Sequence, residues 1–452
     1  MRSLLAYGDT RLPFWQHVRE YAVPPTMIET ATARRAAGDW AGACAAARVD
    51  VDLDPRAAAR AYGRRFATGL HDDLRHLAPD LLRWHLPRTA PDGLLRPGLT
   101  VSLARYHPAG PTRAVHLVVR TPPSWADSGQ RISLALWDEH PAGRAADVHP
   151  HPHPDRRFRL DLHRHLWDAR RAGELRQRSG ADRPPGLDPP PPGPVPPDAG
   201  CAADRWAAEA ALLLRADGHR GGPVTVRLHG RHRLRLDPSD GGTRLSALPP
   251  ARRDDPASPL LPYAATWVPP DLELLRAGAV AAERLHPLVA AALAPDLPST
   301  PDRTDDTAPG VRVVECGGVR HRIGVVDGVL VPLDHGPAEL HREALLVALG
   351  GSPLPCLRAI DQAHRSPECL VDVRARLDHG DTDGALAAVE TLLGPDVLLR
   401  GGALRDELEF AVQQQVTHGL YRSGLAGPGP VRAPNDGRRL THRPRPRRAT
   451  RR

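Results

Sequence analysis

Proline sets the grain of this chain. Each proline fixes its own φ and removes a backbone donor, so regular structure has to fit between prolines or begin at one. Fifty occur in 452 residues, and many fall in two runs, "RPPGLDPPPPGPVPPDAG" at 183–200 and "PDLPSTPDRTDDTAPG" at 295–310. Such segments cannot build a core and read as extended linkers. A chain of this length with two internal linkers predicts several small domains.

The periodicity between the linkers changes twice. Residues 10–88 read as a helical module, in which Asp54-Pro55 supplies an N-cap and a proline at the first helical position. From 95 to 176 the period falls to two. "LTVSLARY", "AVHLVVR" and "RISLALW" predict an antiparallel meander, "RFRLDLHR" at 157–164 a fourth strand, and a helix follows. A Pro-rich linker at 177–200 leads to a helix, hairpin and helix segment at 201–294, where Pro287 interrupts the last helix and 237–262 reads as loop. After the linker at 295–310, residues 311–422 read as short strands turning at Asp327-Gly328, then a helical module with starts at Ser352-Pro353 and Ser366-Pro367. Residues 423–452 read as a disordered, Arg-rich tail. The fold class is therefore α+β and multidomain, with helical modules at both ends and small antiparallel β segments in the middle.

Composition sharpens this picture. Apolar residues make up 41% but aromatics only 4%, so the cores rest on Leu, Val and Ala, which bury less area per residue than aromatic rings. No lysine occurs, and scarce Ile and Asn beside abundant Arg mark a GC-rich genome, so Arg content alone says little about nucleic acid. Eight of the 61 arginines lie in 438–452, a stretch without an acid, and the other 53 equal the 53 Asp+Glu. The formal charge of +8 thus belongs to the tail and not to the body. Five scattered cysteines with no CxxC favour reduced thiols and a cytoplasmic setting. The first residues are too poor in apolar character for a signal peptide, and the most apolar window, 277–294, is broken by Glu283, Arg284, His286 and Pro287. Membrane insertion is not expected.

One pattern occurs twice. Pro25–Ala46 and Pro367–Ala388 align without a gap at nine identities in 22 positions, including Arg34/Arg376, Gly38/Gly380, Asp39/Asp381, Gly42/Gly384 and Ala43/Ala385. The physical reading is a helical hairpin. A left-handed glycine ends one helix, an aspartate caps the next, and the small Gly-Ala pair lets the helices approach. At Gly380, Asp381, Ala385, Val389 and Leu392, and at Gly38, Asp39, Trp40 and Ala43, the chain resembles the second helix of a tetratricopeptide repeat. That resemblance implies a helical packing module and names no ligand.

Catalytic signatures are scarce. The sequence has no phosphate-binding loop, no GxSxG and no HExxH. His71-Asp72, on a helix, reads as a polar face. Histidine is the densest anomaly: His140, His149, His151, His153, His163 and His165 fall within 26 residues. Alternating prolines turn "HPHPHP" into a polyproline II tract whose rings diverge. On a strand at 157–164, Asp161, His163 and His165 would share a face and chelate a divalent transition metal such as zinc. Cys316, His321, Cys356, His364 and Cys369 form a second ligand-type set, with buried apolar cysteines as the plainer reading.

Three surfaces remain. Leu404, Leu408, Val412, Val416 and Leu420 make an i+4 ladder for docking or for packing within the domain. Arg231, Arg233 and Arg235 alternate on one hairpin face, able to meet phosphates or an acidic partner. Arg445, Arg447 and Arg448 belong to a tail able to hold nucleic acid weakly and without sequence preference. Together these features predict a non-catalytic cytoplasmic adaptor that works through an unidentified protein partner. A metal-dependent enzyme using 140–168 and non-specific nucleic-acid binding through the tail are the alternatives.

Overall fold

The computed structural model describes residues 11–108, 114–138, 149–183, 195, 200–228, 232–239, 242–249, 258–295, 312–316 and 318–427. Most of both proline-rich runs, His140, Gly230, Arg231 and the tail with Arg445, Arg447 and Arg448 lie outside them. The described residues form two units, a larger one chiefly of 11–127 and 131–295 and a smaller one chiefly of 312–425. The architecture is α+β and multidomain. No described helix is long and apolar enough to cross a membrane.

Prolines do more than separate elements. Pro25, Pro55, Pro79, Pro270, Pro287, Pro337 and Pro355 each open a helix. There the missing N–H would have been unpaired anyway, and the fixed φ suits the first turn. Pro287 therefore starts a helix, Pro287–Leu293, rather than interrupting one, and the His286 side chain caps it by accepting from Leu288 N. Asp54 caps Pro55–Tyr62 by accepting from Arg56 N at 2.8 Å. Ser352-Pro353 and Ser366-Pro367 do not act as starts, since the helices begin at Pro355 and Leu370.

In the larger unit, Thr100–Tyr106, Val115–Arg120 and Ile132–Asp138 form the antiparallel meander. Its fourth strand is not 157–164. It is Val49–Asp52, paired in parallel with Ile132–Asp138, with Val49 opposite Ile132 and Asp52 opposite Ala135. "VDVD" is too short to announce itself inside a helical stretch. Residues 157–168 instead make two isolated bridges, Arg159 to Ser102 and Asp168 to Leu77, with turns and a 3-10 turn at Arg164–Leu166 between them. The central strand Val115–Arg120 and the edge strand Thr100–Tyr106 are buried on both faces over most of their length. The resulting core draws on Trp84 and Leu81 from Pro79–His85, Leu70 and Leu74 from Arg64–His76, and Val289 and Leu293 from Pro287–Leu293.

A second core in this unit packs Trp206–Ala216 on a three-stranded sheet of Val224–Arg227, Arg233–Ser239 and Gly242–Leu248. The last strand falls where the sequence reads as loop. Pro238 hides it, yet Pro238 sits opposite Thr243 beside the turn, where a missing donor costs little.

A buried ionic knot ties the larger unit's ends together. Arg19 donates to both Asp271 oxygens, Nε to Oδ1 at 2.6 Å, and to the Trp84 carbonyl at 2.9 Å. Trp84 Nε1 reaches the same carboxylate at 3.2 Å, and the guanidinium lies over the Trp84 ring at 4.5 Å. Nearby, His286 Nε2 meets Asp80 Oδ2 at 3.0 Å. Burial drives His85 down to about 4, against the opposing pull of Asp271.

The smaller unit pairs a three-stranded antiparallel sheet, Arg312–Cys316, Val319–Val326 and Val329–Pro332, with five helices. Asp327-Gly328 makes the turn between the last two strands, with φ of 48° and 74°.

The repeated pattern has the same geometry in both units. Gly38 and Gly380 are left-handed at φ 80° and 87°. Asp39 accepts from Gly42 N at 2.8 Å and Asp381 from Gly384 N at 3.0 Å, while Arg34 and Arg376 each donate to their aspartate at 3.2 Å. The second glycine has a more local purpose than helix approach. A Cβ at Gly42 or Gly384 would meet the capping carboxylate oxygen at 2.0 or 2.1 Å.

Candidate metal centre and interaction surfaces

Of the residues singled out around 161–165, His163 and His165 lie side by side, while Asp161 and His163 are engaged with other partners. Arg159 clamps the Asp161 carboxylate at 2.8–3.1 Å and also reaches Asp217 at 3.1 Å. His163 is buried, with Nδ1 3.0 Å from the Arg159 carbonyl and Nε2 3.2 Å from Glu209. Burial works against a charged Glu209, but hydrogen bonds from His163 and Arg178 outweigh it and hold the carboxyl at about 2. The His165 ring lies 5.8 Å from that of His163. Burial, then His163, pushes its pKa well below the ordinary value. The strand needed to align the three on one face is absent, because the chain turns after Arg159.

Among the described residues, three ligand atoms come within 4.8 Å of one another at Cys316, His335 and Cys356. Local structure explains the placement of each. Cys316 ends the first strand of the smaller sheet, on the side shared by Val314 and Ile323. Cys356 follows the proline that opens Pro355–Arg365, on that helix's buried face with Ile360 and Ala363. His335 occupies the loop between the Val329–Pro332 strand and the Pro337–Ala348 helix.

The two sulfurs are 3.8 Å apart. The His335 side chain is 4% exposed; its Nδ1 lies 3.1 Å from Glu339 Oε2, yet neither ring nitrogen has an aligned hydrogen bond. His321 stacks on it, centroids 4.3 Å apart and planes within 10°, and His321 Nδ1 is likewise buried without a hydrogen bond. Burial, then the Cys316 thiol, pushes the Cys356 thiol up to about 11. The sequence set contained Cys316, His321 and Cys356, but His335 had no spacing motif to mark it. His364 is buried in the same unit, and Cys369 caps the Leu370–His379 helix. Neither they nor His321 belongs to the three-residue set.

The ladder on Ala403–Arg422 splits. Leu404 is fully buried and Leu408 packs against the core, whereas Val412, Val416 and Leu420 are exposed. Helical geometry accounts for this: four residues turn about 400°, so each step of four drifts by about 40°, and the ladder's far end leaves the face on which it began. The Pro337–Ala348 helix buries no residue and exposes Leu345, Leu346 and Val347, with Leu349 just beyond its end.

On the larger unit's second sheet, Arg233 lies opposite Arg227, and Arg235 opposite Thr225. Arg235 is spent on Asp237 at 2.9 Å, and Arg233 donates to the Pro249 carbonyl at 2.9 Å. Both line a small cleft with Arg156, Thr225 and Ser258. Compared with protein-family models, curated proteins and solved structures, the chain matches none.

Proposed function

We propose that the chain is a non-catalytic adaptor that docks a protein partner through its smaller unit. The observation that carries this reading is the distribution of exposed apolar side chains. Of the sixteen large ones exposed among the described residues, Leu212 alone belongs to the larger unit. Exposed apolar residues scattered singly need no explanation, but a concentration of them marks an interaction surface. Val412, Val416 and Leu420 recur every four residues on one helix, and Leu345, Leu346 and Leu349 lie at another, a spacing used in helix-mediated recognition.

The test compares quantitative capture from native extract by the full chain and by a Val412→Asp/Val416→Asp variant, both after nuclease treatment. A protein that the full chain retains and the variant loses, with thermal stability unchanged, supports docking at this face. Equal capture by both forms removes it. Material lost on nuclease treatment, or on ending the chain at Gly437, transfers the function to the Arg tail and its phosphate contacts.

A further inference from the structure

We propose that Cys316, Cys356 and His335 bind a tetrahedral divalent cation of the zinc class, with water in the fourth position, and that this centre staples the smaller unit together. Four observations converge on it. First, the sulfur separation fits: two thiolates at about 2.3 Å from a tetrahedral zinc lie about 3.8 Å apart, and the two sulfurs are 3.8 Å apart. A disulfide, at about 2.05 Å, would require them to close and would leave His335 unexplained. Second, a buried imidazole ordinarily has both ring nitrogens partnered; His335 Nδ1 faces Glu339, but Nε2 is buried with no hydrogen-bond partner. Third, the carboxylate of Glu339 beside that ring is the usual companion of a metal-bound histidine, which it orients and makes more basic.

The fourth observation is the need for a staple. Among the described residues, the smaller unit's buried apolar cluster has thirteen members, including Cys316 and Cys356 themselves, and no Trp, Phe or Tyr. An ion bound only by the folded unit adds its binding free energy to the stability of that core. The proposed ligands come from a strand, a strand-to-helix loop and a helix, so one ion would join three separate elements.

Charge and softness select the ion. Two thiolates and a neutral imidazole suit zinc and exclude hard magnesium or calcium. On binding, each thiol loses its proton to solvent and its sulfur donates a lone pair, so the two negative sulfurs cancel the dication. The buried centre then carries no net charge, which avoids the cost of desolvating an ion. The docking proposal does not depend on this site.

The experiment uses the full chain, purified without a tag under reducing conditions. Elemental analysis is expected to find about one zinc per chain, and zinc added to stripped protein should release about two protons. Cobalt replacement should give a thiolate-to-cobalt charge-transfer band and the visible bands of a tetrahedral ion. All eight Trp lie within 15–267, in the larger unit, so their emission reports on that unit alone. Chelation should unfold the smaller unit by hydrogen exchange while leaving Trp emission unchanged. His335→Gln should weaken cobalt binding at least tenfold and alter the visible bands while keeping the thiolate band; this variant serves if Cys316→Ser or Cys356→Ser fails to fold. Reduced wild-type protein that takes up neither zinc nor cobalt overturns the site. Metal retained by a folded Cys316→Ser/Cys356→Ser double variant overturns its location.

Discussion

The two units carry the same capped hairpin but stabilise it by different means. In the larger unit it adjoins a cluster of 38 buried apolar residues that includes Trp84 and Trp167, with a further twelve around Trp206. In the smaller unit it contributes Leu377, Ala385 and Val389 to a cluster of only thirteen. One unit therefore spends its apolar residues inside, and the other leaves Leu and Val on its surface. Good local turn chemistry is indifferent to this contrast. What separates the units is how much area lies behind the hairpin, which in the larger unit is supplied by residues as far along the chain as Val289 and Leu293.

The largest expected effect breaks the larger unit. Arg19→Met should cost about 3–5 kcal/mol, because Asp271 would stay buried without its counter-charge, and the loss should appear in urea unfolding followed by Trp emission. Acid comes next. His85 is held at about 4 and His165 well below its ordinary value, burial being the main cause for both. Unfolded histidine takes a proton near 6.5, so below that pH the unfolded chain binds more protons. The larger unit should then weaken by about 1.4 kcal/mol per pH unit per histidine as pH falls from 6.5 toward 4. A urea midpoint that is the same at pH 7.5 and pH 5 would refute this.

The caps test the comparison directly. Asp39→Ala and Asp381→Ala should each cost about 1 kcal/mol, with Asp381 the more costly, since its carboxylate is 10% exposed against 41% for Asp39. Hydrogen exchange across 25–46 and 367–388 reads both hairpins in one sample, and equal losses would mean that burial does not modulate the cap. The smallest effect on stability belongs to Val412→Asp, at most about 0.5 kcal/mol; a larger destabilisation in thermal melting would show that the exposed ladder is part of the core after all.

The sequence was legible where a local rule sufficed. Gly38-Asp39 and Gly380-Asp381 announced their turns, Asp54-Pro55 its cap, and the alternation in 99–137 its three strands. It was opaque where a partner far along the chain decided the outcome. Val49–Asp52 is a strand only because Ile132–Asp138 offers it an edge. Asp161, His163 and His165 looked like ligands on a strand, but the chain bridges at Arg159 and then turns, and Arg159 and Glu209 engage Asp161 and His163. Cys316 and Cys356 were visible as residue types, but nothing in their spacing connected them to His335. The ladder from Leu404 to Leu420 was correctly seen as regular; its 40° drift per step, which divides it into a buried and an exposed half, follows from helix geometry alone.

The Arg19–Asp271 pair also sets a clock. Its members are 252 residues apart, so at roughly 5–20 residues per second a ribosome supplies the aspartate on the order of 10–50 s after the arginine. During that interval the nascent chain carries a guanidinium bound for a dry site with no counter-charge yet made, and for part of it Val49–Asp52 has no neighbouring strand. The larger unit can therefore close only after most of its length has emerged. Its early helices must wait in a partly open state, and nascent-chain chaperones would meet the molecule there.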